Sequence, residues 1–264
     1  MNQLKLGIVL ETTGLPVRQA LAAASALGVR GVQIDATGAL APEHLSATGR
    51  RELQTLLRGA GLELSALNCP SRRALDDPAA GSRFVDHLRG VMLLASDLAC
   101  PCVIVALPGV PDAADDPRAS AQREALRSLA ACGDRIGTRV ALDTGAETAE
   151  RVRDYLDSFD TDTLNVNFDP TDALRAGSDP LSALEILFGR VIHTRARDVR
   201  SAAGGRWHEV ALGTGDTDWG EYLSALEAVG YGGYVVVDRA SVPDRFDDVV
   251  SGVRYLERLV PVAA

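Results

Sequence analysis

Histidine, cysteine and aromatic residues are scarce in this sequence: four His, four Cys, and only 5% Phe, Trp and Tyr among 264 residues. Four scattered cysteines do not make a disulfide scaffold in a chain of this length. Cys100-Pro101-Cys102 is set too close for a thioredoxin-type motif and reads as buried thiols beside a strand. So few histidines leave little for a zinc cluster. Positive charge is also short, with 27 Lys+Arg against 36 Asp+Glu and a formal net charge of −9. That balance argues against a protein that grips nucleic acid by neutralising phosphates. No apolar run approaches the roughly 20 residues needed to span a bilayer. The opening MNQLKLGIVLETTG lacks the arrangement of a secretory leader. The expectation is a soluble cytoplasmic protein with neither nucleic acid nor membrane as partner.

What is present is alternation. Short β-branched runs are expected as strands at Leu4–Leu10, Gly31–Asp35, Leu62–Leu67, Cys102–Ala106, Arg139–Leu142, Leu164–Phe168, Val191–Ala196 and Gly233–Val237. Stretches with apolar residues at helical spacing separate them: Val17–Leu27, Ala47–Ala60, Arg83–Leu98, Gln122–Ile136, Thr148–Phe159, Leu181–Leu187 and Tyr222–Val229, with Phe246–Leu259 closing the chain. Strands alternating with helices imply a parallel sheet covered by helices. About eight such units in about 250 residues is the arithmetic of an α/β protein of the (β/α)8 TIM-barrel type, here one domain over residues 1–264. The rival doubly wound sheet would carry G-x-G-x-x-G after its first strand, where this chain has Glu11-Thr12-Thr13-Gly14-Leu15-Pro16. Gly213-Thr214-Gly215 reads as a glycine turn, and Gly109–Ala119 as the most loop-like insertion.

Alternate strand residues point to opposite faces, so one parity meets the helices and the other the barrel interior. In the sixth strand Leu164, Val166 and Phe168 oppose Asn165, Asn167 and Asp169; in the seventh Ile192, Thr194 and Ala196 oppose His193, Arg195 and Arg197. The apolar set belongs against the helices, which turns amides, a carboxylate and two guanidiniums inward. Active sites of this architecture sit at the C-terminal ends of the strands. The ring expected there is Glu11, Asp35, Asp143, Asp169, Arg195 and Asp238, with His193 one layer deeper. Gathered carboxylates are costly in an enclosed mouth unless a cation neutralises them.

These stretches resemble the xylose isomerase-like TIM-barrel family of sugar and sugar-phosphate isomerases and epimerases. The resemblance rests on ALDTGAETAERVRDYL (Ala141–Leu156), VNFDPTDAL (Val166–Leu174), VIHTRARDV (Val191–Val199) and Glu209–Arg239, with weaker support from PSRRAL (Pro70–Leu75). It implies four metal-ligand positions, held by Glu, Asp, His and Glu in the family. Here they fall on Asp143, Asp169, Arg195 and Asp238, so the metal site is degenerate. VIHTRARDV is similar to a family strand of the pattern His-x-His-x-Lys-Asp. A guanidinium has only donors and stays charged, so Arg195 cannot ligate a metal. The expectation is that Arg195 replaces the divalent ion by bridging Asp143, Asp169 and Asp238, and that no cofactor is needed; the other reading keeps a weak Mg or Mn site on those three acids.

What the resemblance then implies is a keto-sugar isomerase or epimerase working by carboxylate acid-base chemistry, with Asp143, Asp169, Arg195 and Asp238 as catalytic residues and a small carbohydrate as partner. Glu11, Asp35, Asp172, His193, Trp207, Glu209 and Arg239 are the candidate substrate contacts, Trp207, His208 and Glu209 being expected in a loop over the mouth. Arg72, Arg73, Arg197 and Arg239 are candidates for a substrate phosphate. The alternative is a catalytically silent barrel that binds a sugar or serves as a partner subunit. A homo-oligomer is implied only by analogy with relatives. The endonuclease branch of the same fold needs a His-rich zinc cluster and a basic surface, and this chain has neither in quantity.

Overall fold

The computed structural model describes residues 4–70, 75–78, 81–113, 116–239 and 246–259. Eight parallel strands close into a barrel: β1 (Lys5–Val9), β2 (Gly31–Asp35), β3 (Glu63–Asn68), β4 (Cys102–Ala106), β5 (Arg139–Asp143), β6 (Leu164–Phe168), β7 (Val191–Ala196) and a last strand, β10 (Tyr234–Val237), which pairs with both β1 and β7. The helices α1 (Val17–Leu27), α2 (Ala47–Gly59), α3 (Gly81–Asp97), α4 (Pro117–Ile136), α5 (Ala149–Asp157), α6 (Pro170–Arg175), α7 (Pro180–Ile186), α8 (Trp219–Ala228) and α9 (Phe246–Leu259) alternate with them. This is the expected (β/α)8 barrel. The helix α4 starts at Pro117, so the expected loop Gly109–Ala119 is shorter at its end; Asp116 caps that helix through Arg118 N, with Pro117 at the first position. Among the described residues no helix is long and apolar enough to cross a membrane.

The hydrophobic core is divided by strand parity. Leu164, Val166 and Phe168 of β6, Val140 and Leu142 of β5, and Val235 and Val237 of β10 join the large cluster between strands and helices. Phe168 stacks on Tyr222 with ring centroids 6.0 Å apart. The outward hydroxyl of Thr194 is satisfied by the Phe168 carbonyl and by Tyr222 Oη, 2.6 Å away. Inside the barrel the apolar packing is smaller. Ala66, Cys102, Ile104 and Ala141 form one patch, and Val9, Tyr234 and Val236 another. The rest of the lining, Gln33, Asn165, Asn167, His193 and Arg195, is polar and buried. That polar strip on β6 and β7 leads straight to the mouth.

One feature is absent from the sequence-based expectation. After β7 the chain makes an antiparallel hairpin, β8 (Asp198–Ala202) and β9 (Arg206–Val210), joined at Ala203-Gly204-Gly205, where both glycines have positive φ. Trp207, His208 and Glu209 therefore lie on a strand paired with Ser201, Arg200 and Val199, not in a loop. Asp198 secures the base of this hairpin. Its buried carboxylate accepts the N–H groups of Gly213 (2.9 Å) and Gly215 (3.0 Å) and the Trp219 indole N–H (3.3 Å). A Cβ on residue 215 would stand 2.1 Å from Asp198 Oδ1, and Gly213 has φ +84°, which explains the Gly-Thr-Gly spacing without a phosphate. Asp198→Ala strands these three donors together with the N–H groups of Val199 and Thr217, so urea denaturation is expected to show a loss of about 3 kcal/mol; a loss under about 1 kcal/mol contradicts this anchoring.

Candidate active site

At the C-terminal end of the barrel the inward residues of β5, β6, β7 and β10 meet. Arg195 Nη1 of β7 donates to Asp143 Oδ2 of β5 at 2.7 Å, past the intervening β6, and Arg195 Nε stands 3.9 Å from Asp238 Oδ2. Asp169 is not bound by Arg195. Its Oδ2 accepts from Arg197 Nε at 2.5 Å, while its Oδ1 caps α6 by accepting from Thr171 N (2.9 Å) and Thr171 Oγ1 (2.7 Å). The expectation of one guanidinium bridging three acids is therefore corrected: two guanidiniums, two residues apart on one strand face, divide them. The reason is local. Asp169-Pro170 starts a helix, which commits one carboxylate oxygen to the cap and turns the other toward the strand end, where Arg197 emerges. Arg197 Nη2 also lies 3.6 Å from Asp172 Oδ1, which in turn accepts from Arg175 Nη1 at 3.1 Å.

Burial decides the electrostatics here. Asp238 is pushed above the usual carboxylate range by burial, against the opposing charges of Arg195 and Arg197. Asp172 is raised by burial and then by the charge of Asp169. The Asp169 and Asp172 charges hold Arg197 still further into its charged form despite its burial.

On the other side of the mouth, Glu11 Oε1 accepts the backbone N–H of Asp35 at 2.8 Å, and Asp35 Oδ1 accepts from Asn68 Nδ2 at 2.7 Å. Glu11 is exposed at the rim as a residue, but desolvation of its carboxyl and then the charge of Asp35 push its pKa up to about 7. Asp35 is raised by burial, offset by Asn68 and by the Arg195 charge.

His193 lies below this layer, its Nδ1–H donating to Asn167 Oδ1 at 2.7 Å and leaving Nε2 without a hydrogen-bond partner among the described residues. Burial and then the nearby Arg195 charge hold its pKa down at about 3. Arg239 and Glu209 face each other at 3.2 Å, and Arg239 also donates to Val210 O and Asp248. Trp207 is half-buried on β9. Arg72 and Arg73 lie outside the described residues.

The site expected from strand parity is thus gathered in one place, except that Glu209 and Arg239 engage each other beside it. Three members do not follow from sequence reasoning: Asn68, which orients Asp35; Arg175, which holds Asp172; and Arg197 as the partner of Asp169. For Arg197 a signal exists, since it shares the parity of Arg195 and takes the Lys place of the His-x-His-x-Lys-Asp pattern. A cleft of about 20 Å³ between Gly145, Glu147, Asp169 and Asp172 opens beside this cluster. A far larger cavity of about 870 Å³ opens at the opposite end of the barrel, among the strand starts Lys5, Glu63, Arg139 and Tyr234. Volume is a poor guide here, because the buried ion pairs of Arg195 and Arg197 with Asp143 and Asp169 are at the C-terminal end, where this architecture places its chemistry.

Residues 21–259 match the family model described as xylose isomerase-like TIM barrel. Uncharacterized protein YfiH of Bacillus subtilis strain 168 is 25% identical, over 89% of this chain and 92% of its own. The crystal structure of a xylose isomerase domain protein from Planctomyces limnophilus superposes with a TM-score of 0.83 at 23% identity, covering 97% of this chain and 96% of that one. The 3-keto-D-glucoside 4-epimerase YcjR of E. coli superposes with a TM-score of 0.73 at 18% identity, covering 97% and 100%.

Because the folded His193 pKa lies below the unfolded one, acidification from about pH 6.5 toward 3 protonates the unfolded chain first, and this residue's contribution to stability is lost as pH falls through that window. Imidazole nitrogen shifts in ¹⁵N NMR are expected to show neutral His193, protonated on Nδ1, from pH 8 down to 5; an imidazolium at pH 5 contradicts the assignment.

Proposed function

Because the chain belongs to the xylose isomerase-like TIM-barrel family, we propose that it is an isomerase or epimerase of a keto sugar in which Arg195 stands where the family resemblance implies a divalent ion. The observation that carries this reading is the Arg195–Asp143 pair at 2.7 Å, with Asp238 3.9 Å from the same guanidinium. The donor set does not fit a divalent ion. One of the four positions is a guanidinium, both oxygens of Asp169 are committed to Thr171 and Arg197, and among the described residues no three His, Cys, Asp or Glu side chains converge as a metal site. No step is therefore assigned to a metal.

The chemistry that remains is acid-base work beside a fixed cation. A ketose carbonyl placed on the free donors of Arg195 gains an electrostatic partner for its developing enediolate oxygen. Asp143 holds the guanidinium in place, and Asp238, buried and raised, is suited to exchange a proton with the substrate. The keto-sugar name of the structurally similar E. coli epimerase supports the substrate class. Little supports a phosphate on the substrate, since the donors of Arg239 go to Glu209, Asp248 and Val210, and Arg197 is held by Asp169.

Incubation with ketoses in deuterated water, followed by proton NMR, is expected to show exchange at a carbon next to the carbonyl. Asp143→Asn, Asp238→Asn and Arg195→Gln should each slow it by about 100-fold, the scale of one lost oxyanion donor, and EDTA should leave the wild-type rate unchanged. Exchange that requires added Mn²⁺ contradicts the metal-free site; sugar binding with no exchange at all makes the protein a silent binding barrel.

A further inference from the structure

We propose that Glu11, with Asp35 behind it, is the group that carries the proton to and from the substrate carbon, on the face of the mouth opposite the guanidiniums. This rests on the keto-sugar reading above and extends it to a residue that none of the four implied ligand positions includes.

The cations of the mouth are already engaged. Asp143 is bound by Arg195, Asp169 by Arg197, and Asp172 by Arg175 with Arg197 nearby. Protonating a carboxylate held in such a pair breaks the pair, so these acids are poor proton acceptors. Glu11 and Asp35 have no ion pair among the described residues. Position favours Glu11 as well. It follows β1 in the short turn Leu10–Thr13, and β1 pairs with β10 in a register (Ile8 with Val237) that brings the end of β1 level with Asp238. Glu11 is thus on the same rim as Asp238 and feels its charge.

The carboxyl of Glu11 is also oriented. One oxygen is fixed by the Asp35 N–H. Asp35 is fixed in turn by Asn68. Four groups face this carboxyl or act on it: Asp35 from β2 and Asp238 from β10, both raising it, and the backbone N–H groups of Asp35 and of Glu11 itself, both lowering it. Burial outweighs those two N–H groups, and the resulting value of about 7 leaves Glu11 able both to accept and to return a proton at neutral pH. In the step itself the Glu11 carboxylate removes the proton from the carbon next to the ketose carbonyl. The C–H bond breaks, an O–H bond forms on Glu11, and the electron pair becomes the enediolate, whose oxygen faces Arg195. Glu11 returns this proton, on the same face, to the former carbonyl carbon, while Asp238 moves the proton of the neighbouring hydroxyl to the former carbonyl oxygen; the carboxylate is restored, the isomer forms, and no oxidant or reductant is involved.

The test measures C–H exchange in deuterated water with a panel of ketoses, ketose phosphates and 3-keto glycosides, from pH 5 to 9, for the wild type, Glu11→Gln, Glu11→Asp and Asp35→Asn. The wild-type rate is expected to rise through an inflection near pH 7. Glu11→Gln should lose at least 100-fold, Glu11→Asp should recover part of that loss, and Asp35→Asn should move the inflection to lower pH by removing a negative neighbour. If the wild type exchanges and Glu11→Gln stays within threefold with the same pH profile, the role of Glu11 is overturned while the isomerase reading stands. No exchange by the wild type with any of these sugars overturns that reading, and the role of Glu11 with it. A ¹³C NMR titration of the Glu11 carboxyl in the wild-type protein decides the matter independently of any folding defect in the variants: a midpoint near 7 supports the assignment, and one below 5 refutes it.

Discussion

The arrangement of the mouth depends on one buried guanidinium. Arg195 enters the barrel interior because the strand parity of β7 leaves it no other direction: Thr194 and Ala196 occupy the helix-facing side, and Thr194 is locked there by Tyr222. A buried arginine is tolerable only beside an acid, and removing one partner of such a pair costs about 3–5 kcal/mol. Asp143, at the end of β5, is that acid. Once the pair forms, a permanently charged guanidinium is fixed at the centre of the mouth by two strands. The neighbouring groups respond to it: Asp238 and Asp35 feel its attraction, and it adds to burial in keeping His193 beneath it neutral.

The charges are distributed unevenly. Arg195, Arg197 and Arg175 all stand on the β5–β7 side, beside Asp143, Asp169 and Asp172. Glu11 and Asp35, from β1 and β2, are left with backbone and amide donors alone. A carboxyl desolvated next to another carboxyl, with no cation bonded to it, lowers its free energy by keeping its proton to a higher pH. One side of the mouth therefore holds charge in place and the other is able to exchange it. The interior below repeats the division, apolar along β3–β5 and β10, polar at β6 and β7.

Much of this is legible in the amino-acid sequence. The alternation of β-branched runs with helical stretches points to the barrel, and six expected elements (Val17–Leu27, Gly31–Asp35, Cys102–Ala106, Leu164–Phe168, Val191–Ala196 and Phe246–Leu259) have the observed bounds. Parity along β6 and β7 puts Asn167, His193 and Arg195 inside. Which acid pairs with which arginine is not legible, because parity sets direction and leaves the distance between strand ends open. Asp169 illustrates this: Asp-Pro before a helical stretch is a cap signal, and the cap takes one of its oxygens. The β8–β9 hairpin is hard to see although Gly204-Gly205 marks its turn, because its strands lack the apolar alternation that advertises a half-buried strand. Asn68 and Asp198 escape for a common reason, since their roles are hydrogen bonds to groups distant in sequence.

Diffraction from crystals grown in Mn²⁺, collected for the anomalous signal of the metal, tests most directly whether Arg195 is the cation of this mouth. The account predicts no manganese peak among Asp143, Asp169 and Asp238, with Arg195 Nη1 bonded to Asp143 and Arg197 to Asp169. A fully occupied manganese peak among those three acids, with Arg195 turned out of the barrel, would contradict it.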